Sequence, residues 1–137
     1  MIATRSGARA IRGLLAQAIV LLASMYHLAV GAALLGSPTW FYETIGPFPP
    51  FNRHYLGDLG SAFFALGIGL LFAARAPRRQ PGIVGVAAVA GLLHAANHAY
   101  DALIAGAPLA EWLAEPLPLA LIAVLLALAY LELRRTG

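Results

Sequence analysis

The chain has 137 residues, of which 61% are hydrophobic and only 11% charged, against about a quarter charged in an ordinary soluble domain. One core of this size cannot hide so much apolar surface, so the surplus must face lipid or a partner, and the length suits a single domain over 1–137. The net charge of +3 is carried without any lysine, so there is no broad basic patch for nucleic acid, and the lack of cysteine removes disulfides, thiolate metal sites, iron–sulfur clusters and thiol nucleophiles.

Arg5, Arg9 and Arg12 precede the first apolar run, 13–36. At 1.5 Å per residue that run can cross a hydrocarbon core of about 30 Å. It exceeds the short apolar region of a cleaved signal, so we expect it to remain as the first helix, ended by Ser37 and Pro38.

The next segment interleaves Trp40, Phe41, Tyr42, Phe48 and Phe51 with Pro47, Pro49 and Pro50. The prolines predict irregular structure and the aromatics an interfacial position, together a surface loop that can lid the helices. A second span follows over 54–74, ending at Arg75, Arg78 and Arg79. The third span is 83–104, closed by Gly106 and Pro108. Residues 108–116, with Glu111, Trp112 and Glu115, read as a short interfacial turn of helix. The fourth span, 117–133, is almost entirely Leu, Ala, Val and Ile and ends at Arg134 and Arg135. Poor in polar groups, it is the candidate for a lipid-facing scaffold or a subunit contact.

The expected fold is therefore all-α, an integral membrane four-helix bundle. Eight of the nine arginines flank one set of span ends, and only Arg53 lies at the other. The positive-inside rule makes the arginine-rich side, with both termini, cytoplasmic. That arrangement suits a multi-pass protein of the inner (cytoplasmic) membrane.

Polar groups in hydrocarbon are costly unless partnered, so their positions carry information. In the third span His94, Asn97, His98 and Asp101 fall at i, i+3, i+4 and i+7, offsets that share a helical face. In the second, His54, Asp58 and Ser61 repeat the spacing, and Gly57, Asp58, Leu59, Gly60 and Ser61 read as an inward face packed through small residues. The first span contributes His27, close to Tyr26 and Ser24, with Gln17 far deeper.

Depths agree across helices. His27 lies roughly 21 Å and His98 roughly 22 Å from the cytoplasmic edge, and Asp58 about 6 Å from the outer one. In a core of about 30 Å these coincide within a helical turn. His94 is deeper, while His54 and Asp101 stand at the mouth.

Three chemistries fit this cluster. In the first, His27, His94, His98 and Asp58 form a nitrogen–oxygen shell for a transition metal, with Asn97 or Asp101 holding a distal ring nitrogen, or His27 pairs with His94 or His98 as ligands of a haem. The second is metal-free: His98 and Asp58, with Asn97 beside them, relay protons or act as an acid–base pair on a lipid-soluble small molecule. In the third, the bundle is an accessory subunit, joined to a membrane-protein partner or to copies of itself. A structural account competes with all three: these groups can hydrogen-bond between helices and set their register. Tyr26, Tyr55 and Tyr100 fit an aromatic belt, and Glu43, Glu111 and Glu115 solvated loop charges. The chain lacks the HExxH pattern of a metalloprotease, since Ala95 follows His94.

With its size, glycine-rich second span and even number of spans, the chain resembles the small four-helix bacterial membrane proteins grouped as DoxX-like, and the stretches NRHYLGDLGSAFFALG and HAANHAYD look like the marks of a narrower subgroup. The resemblance implies a four-helix membrane fold and either quinone-coupled oxidation or an accessory role beside another enzyme. It assigns no catalytic residue.

Overall fold

The computed structural model describes residues 2–136, with side chains described from 7 to 135; the charge expected at Arg5 lies outside the described side chains. Six helices account for most of the chain: α1 (Ile2–Gly36), α2 (Pro38–Thr44), α3 (Arg53–Arg75), α4 (Pro81–Ile104), α5 (Leu109–Ala114) and α6 (Pro116–Thr136). No strand occurs among the described residues. Helices α1, α3, α4 and α6 carry the four segments long and apolar enough to cross a membrane.

The helix ends follow from local chemistry. Asn52 caps α3, its side chain accepting from the Tyr55 backbone N–H at 3.1 Å, which satisfies one of the orphan donors of the first turn. Pro38 and Pro81 begin α2 and α4, where the missing N–H costs nothing. Gly106 takes a left-handed φ of 62° just beyond α4, a conformation that suits glycine. The aromatic segment is partly helical, contrary to expectation. Its prolines at 47, 49 and 50 all follow α2, so they limit the helix without preventing it. The short helix expected around Trp112 is α5.

Helix α1 packs along α3, and α4 along α6; α1 also meets α6, while α3 and α4 touch more sparsely. Glycines set the closest approaches. A Cβ on Gly31 would lie 2.6 Å from the Phe64 backbone nitrogen, and one on Gly67 2.8 Å from that of Leu28. Between α4 and α6, a Cβ on Gly91 would stand 3.1 Å from that of Ala123. Small residues allow such contact, and dispersion between helices follows from it. Two polar bonds reinforce the α1–α3 pair: Ser24 Oγ donates to Gly67 O at 2.8 Å, and Gln17 Nε2 to Ala74 O at 2.9 Å. Both bonds lie outside the histidine cluster.

Helix α6 is more than a scaffold on the lipid side. Ala123, Leu126, Ala129 and Leu133 are buried, and Glu132 Oε1 lies 3.4 Å from Arg12 Nε of α1. That ion pair brings the start of the first span and the end of the last to one end of the molecule. The solid core sits in the same half, formed by residues such as Val20, Leu70, Val84, Ala87, Leu126 and Leu133. The other half is looser, and it holds the histidines.

Candidate functional site

On α1 the buried positions Ala16, Val20, Ala23, Ser24, His27, Gly31 and Leu34 form one stripe, at the three- and four-residue spacing of a helix face. His27 is thus turned inward and is only 7% exposed. Its Nδ1 lies 2.7 Å from the Ala23 carbonyl oxygen. A carbonyl only accepts, so Nδ1 carries the proton, and in the neutral ring Nε2 is left as an acceptor.

The corresponding stripe on α3 is Leu56, Gly60, Phe63, Gly67 and Leu70. Phe63 stacks on His27 at 5.4 Å between ring centroids and meets His94 of α4 edge-on at 5.9 Å. His94 in turn stacks on His98, at 4.8 Å and an interplanar angle of 21°. Tyr26 stands edge-on to His27 at 5.3 Å. The result is a run of rings from α1 through α3 to α4. His94 has no hydrogen-bonded partner among the described residues, so its ring nitrogens are open to a ligand.

His27, His94, Tyr26 and Phe63 line a cavity of about 170 Å³, completed by apolar groups of α3 and α6 including Leu59, Leu66, Leu119, Ile122 and Leu126. A cavity of about 150 Å³ accommodates one benzene-sized ring, so this one is ring-sized too. Of its lining residues only Ala62 of α3 and Ala90 of α4 are exposed. The mouth therefore opens sideways between α3 and α4, the seam where these helices touch sparsely.

Glu115, read from the sequence as a solvated loop charge, is exposed and in addition reaches a histidine. His98 Nδ1 lies 3.1 Å from Glu115 Oε2, and Glu115 is about half exposed. Phe48, from the turn after α2, closes over His98 edge-on at 5.9 Å. The aromatic segment thus covers this end of the site through one side chain. Phe63 also went unnoticed, although it lies three residues after Gly60 and four before Gly67 on the same face.

Asp58 lies elsewhere. Its carboxylate pairs with His54 Nε2 at 3.5 Å, and both side chains are largely exposed, 70% and 91%. Gly60 faces α1, and two residues of helix turn the chain through about 200°, so Asp58 points away. The stretch 57–61 is accordingly not one inward face: a Cβ on Gly57 would meet nothing, and Ser61 donates back to Gly57 O on an exposed surface. On α4, Asn97 and Asp101 are exposed and share a 3.4 Å hydrogen bond. They lie to one side of the His94–His98 line and do not orient a histidine nitrogen. The expected shell of His27, His94, His98 and Asp58 is therefore not assembled. Among the described residues no three His, Asp or Glu side chains are grouped to hold a metal ion; an aromatic ring, Phe63, joins the two inner histidines instead.

The fold and site together define an all-helical, multi-pass membrane protein with a histidine-lined apolar cavity. Comparison with protein-family models, with curated proteins and with solved structures returns no match.

Proposed function

We propose that this protein lies in the inner (cytoplasmic) membrane with both termini in the cytoplasm, binds a lipid-soluble, single-ring molecule bearing a hydroxyl group, and exchanges a proton with it. The observation that carries this reading is that His27 and His94, from different helices, line one ring-sized apolar cavity. Nε2 of His27 accepts from the ligand hydroxyl. A second hydroxyl, as on a hydroquinone, gives its proton to His94; the stacked rings of His94 and His98 share no hydrogen bond, so water carries the proton on to His98 and Glu115, and the ligand is left as its anion. A sideways mouth flanked by Ala62 and Ala90 suits a ligand partitioned in the bilayer. A quinol ring has the required shape and donors, in keeping with the DoxX-like resemblance.

The four histidines make the test direct. With ¹⁵N-histidine-labelled protein in mild detergent, a tail-less hydroquinone is titrated as probe. Saturable shifts at His27 and His94, with His54 unmoved, are expected. Shifts at His54 alone, or none at all, would refute the reading. Orientation is checked separately in this cysteine-free chain: single cysteines at Thr44 and Gln80 should label from opposite faces of the membrane, Gln80 from the cytoplasm.

A further inference from the structure

The arginine-rich end contains a second recess, independent of the histidine cavity. It is an open cleft of about 530 Å³ between the start of α1 and the 76–80 turn, lined by Arg75, Arg78, Arg79 and Gln17 with Leu14 and Leu133. No carboxylate pairs with Arg75, Arg78 or Arg79 among the described residues; the nearby Glu132 is engaged with Arg12. Arg78 Nη2 lies 3.4 Å from the place a Cβ on Gly13 would occupy, so the bare helix surface there lets a guanidinium lie against α1. Arg75 is held by its own helix, Nη1 donating to Leu71 O at 3.4 Å with the guanidinium 5.9 Å from the Phe72 ring centroid. The cleft therefore combines an uncompensated positive charge of three with the exposed Leu14 at its side and the buried Leu133 at its floor, at the end of the spans.

We infer that this cleft binds the phosphate of an anionic lipid headgroup in the leaflet facing the arginine-rich end, with the lipid's acyl chains lying along the exposed Leu14. Guanidinium groups present forked donors to phosphate oxygens, and basic recesses between spans at the cytoplasmic face suit such headgroups. The inference depends on the four helices spanning a membrane and not on any ligand of the histidine cavity.

Native mass spectrometry of the full chain in mild detergent tests it, with phosphatidylglycerol, phosphatidylcholine of matched chains and inorganic phosphate as probes. Phosphatidylglycerol should be retained in preference to phosphatidylcholine. At roughly fivefold per guanidinium near a charged surface, R75Q/R78Q/R79Q should weaken retention by about a hundredfold. Gly13→Phe, which fills the cleft and leaves the charge unchanged, should also weaken it, and so guards against misfolding of the triple variant. R134Q/R135Q, which removes two charges from the same end but none from the cleft, should retain the lipid. Equal retention of both lipids, equal loss in R134Q/R135Q, no loss in Gly13→Phe, or displacement by millimolar inorganic phosphate would each overturn the assignment to a lipid phosphate.

Discussion

His98 of α4 and Glu115, just after α5, meet at 3.1 Å although seventeen residues separate them in the chain. The contact ties the end of the third span to the start of the fourth. It also links the ring stack around the cavity to a carboxylate that reaches water. Because Glu115 is half exposed, the pair adds less than about 1 kcal/mol to stability, and under the proposed function its importance lies in the proton path.

Glu115→Gln should therefore leave the thermal unfolding temperature nearly unchanged and alter the ¹⁵N signals of His98 and His94, while His54 stays put. Proton exchange with a bound hydroquinone should slow by about a hundredfold, the low end of what a positioned acid–base group contributes. Glu111→Gln is the control and should do neither.

Ala62→Trp should obstruct the cavity mouth without disturbing the core, because Ala62 faces outward. Surface changes of this kind normally stay within about 0.5 kcal/mol. The association rate of the hydroquinone probe should fall, measured by stopped-flow or by NMR line broadening, with the unfolding midpoint preserved. An unchanged association rate would exclude the seam between α3 and α4 as the route.

Gly31→Ala places a methyl group against the Phe64 backbone, which cannot move aside as a flexible side chain would. Overpacking of that kind costs about 1–3 kcal/mol, so unfolding in mixed micelles, followed by circular dichroism, should shift accordingly. Gly82→Ala meets nothing and should be neutral or stabilising by up to about 0.5–1 kcal/mol.

His54→Ala and Asp58→Asn remove an exposed pair remote from the cavity. Each should leave probe binding intact and change stability by less than about 0.5 kcal/mol. A strong loss of binding in Asp58→Asn would mean that the carboxylate reaches the site after all.

Much of this arrangement was readable in the sequence. Length, hydropathy and proline placement mark the long apolar helices α3, α4 and α6 to within three residues, while α1 begins eleven residues before the expected start at 13, because an apolar run gives the hydrocarbon-compatible part of a helix and not its polar extension. The depth comparison puts His27, His98 and Asp58 at one level with His94 deeper, since helical rise is constant. Azimuth was harder. Depth and spacing do not give a helix's rotation about its axis, so depth alone groups Asp58 with His98, and i, i+3, i+4, i+7 spacing alone groups Asn97 and Asp101 with it. The stripe of Leu56, Gly60, Phe63, Gly67 and Leu70 would have turned Asp58 outward, had it been weighed above the shorter 57–61 cluster.

What the sequence determined by itself was the number of long apolar helices and most of their ends, which depend on local transfer energies and backbone hydrogen bonding. Only the tertiary structure decided that α1 packs on α3 and α4 on α6, that Phe63 stands between two histidines and that Glu115 answers His98. Those outcomes depend on how each helix is rotated about its axis, and that rotation is set by the closest backbone contacts at Gly31, Gly67 and Gly91, between residues far apart in the chain.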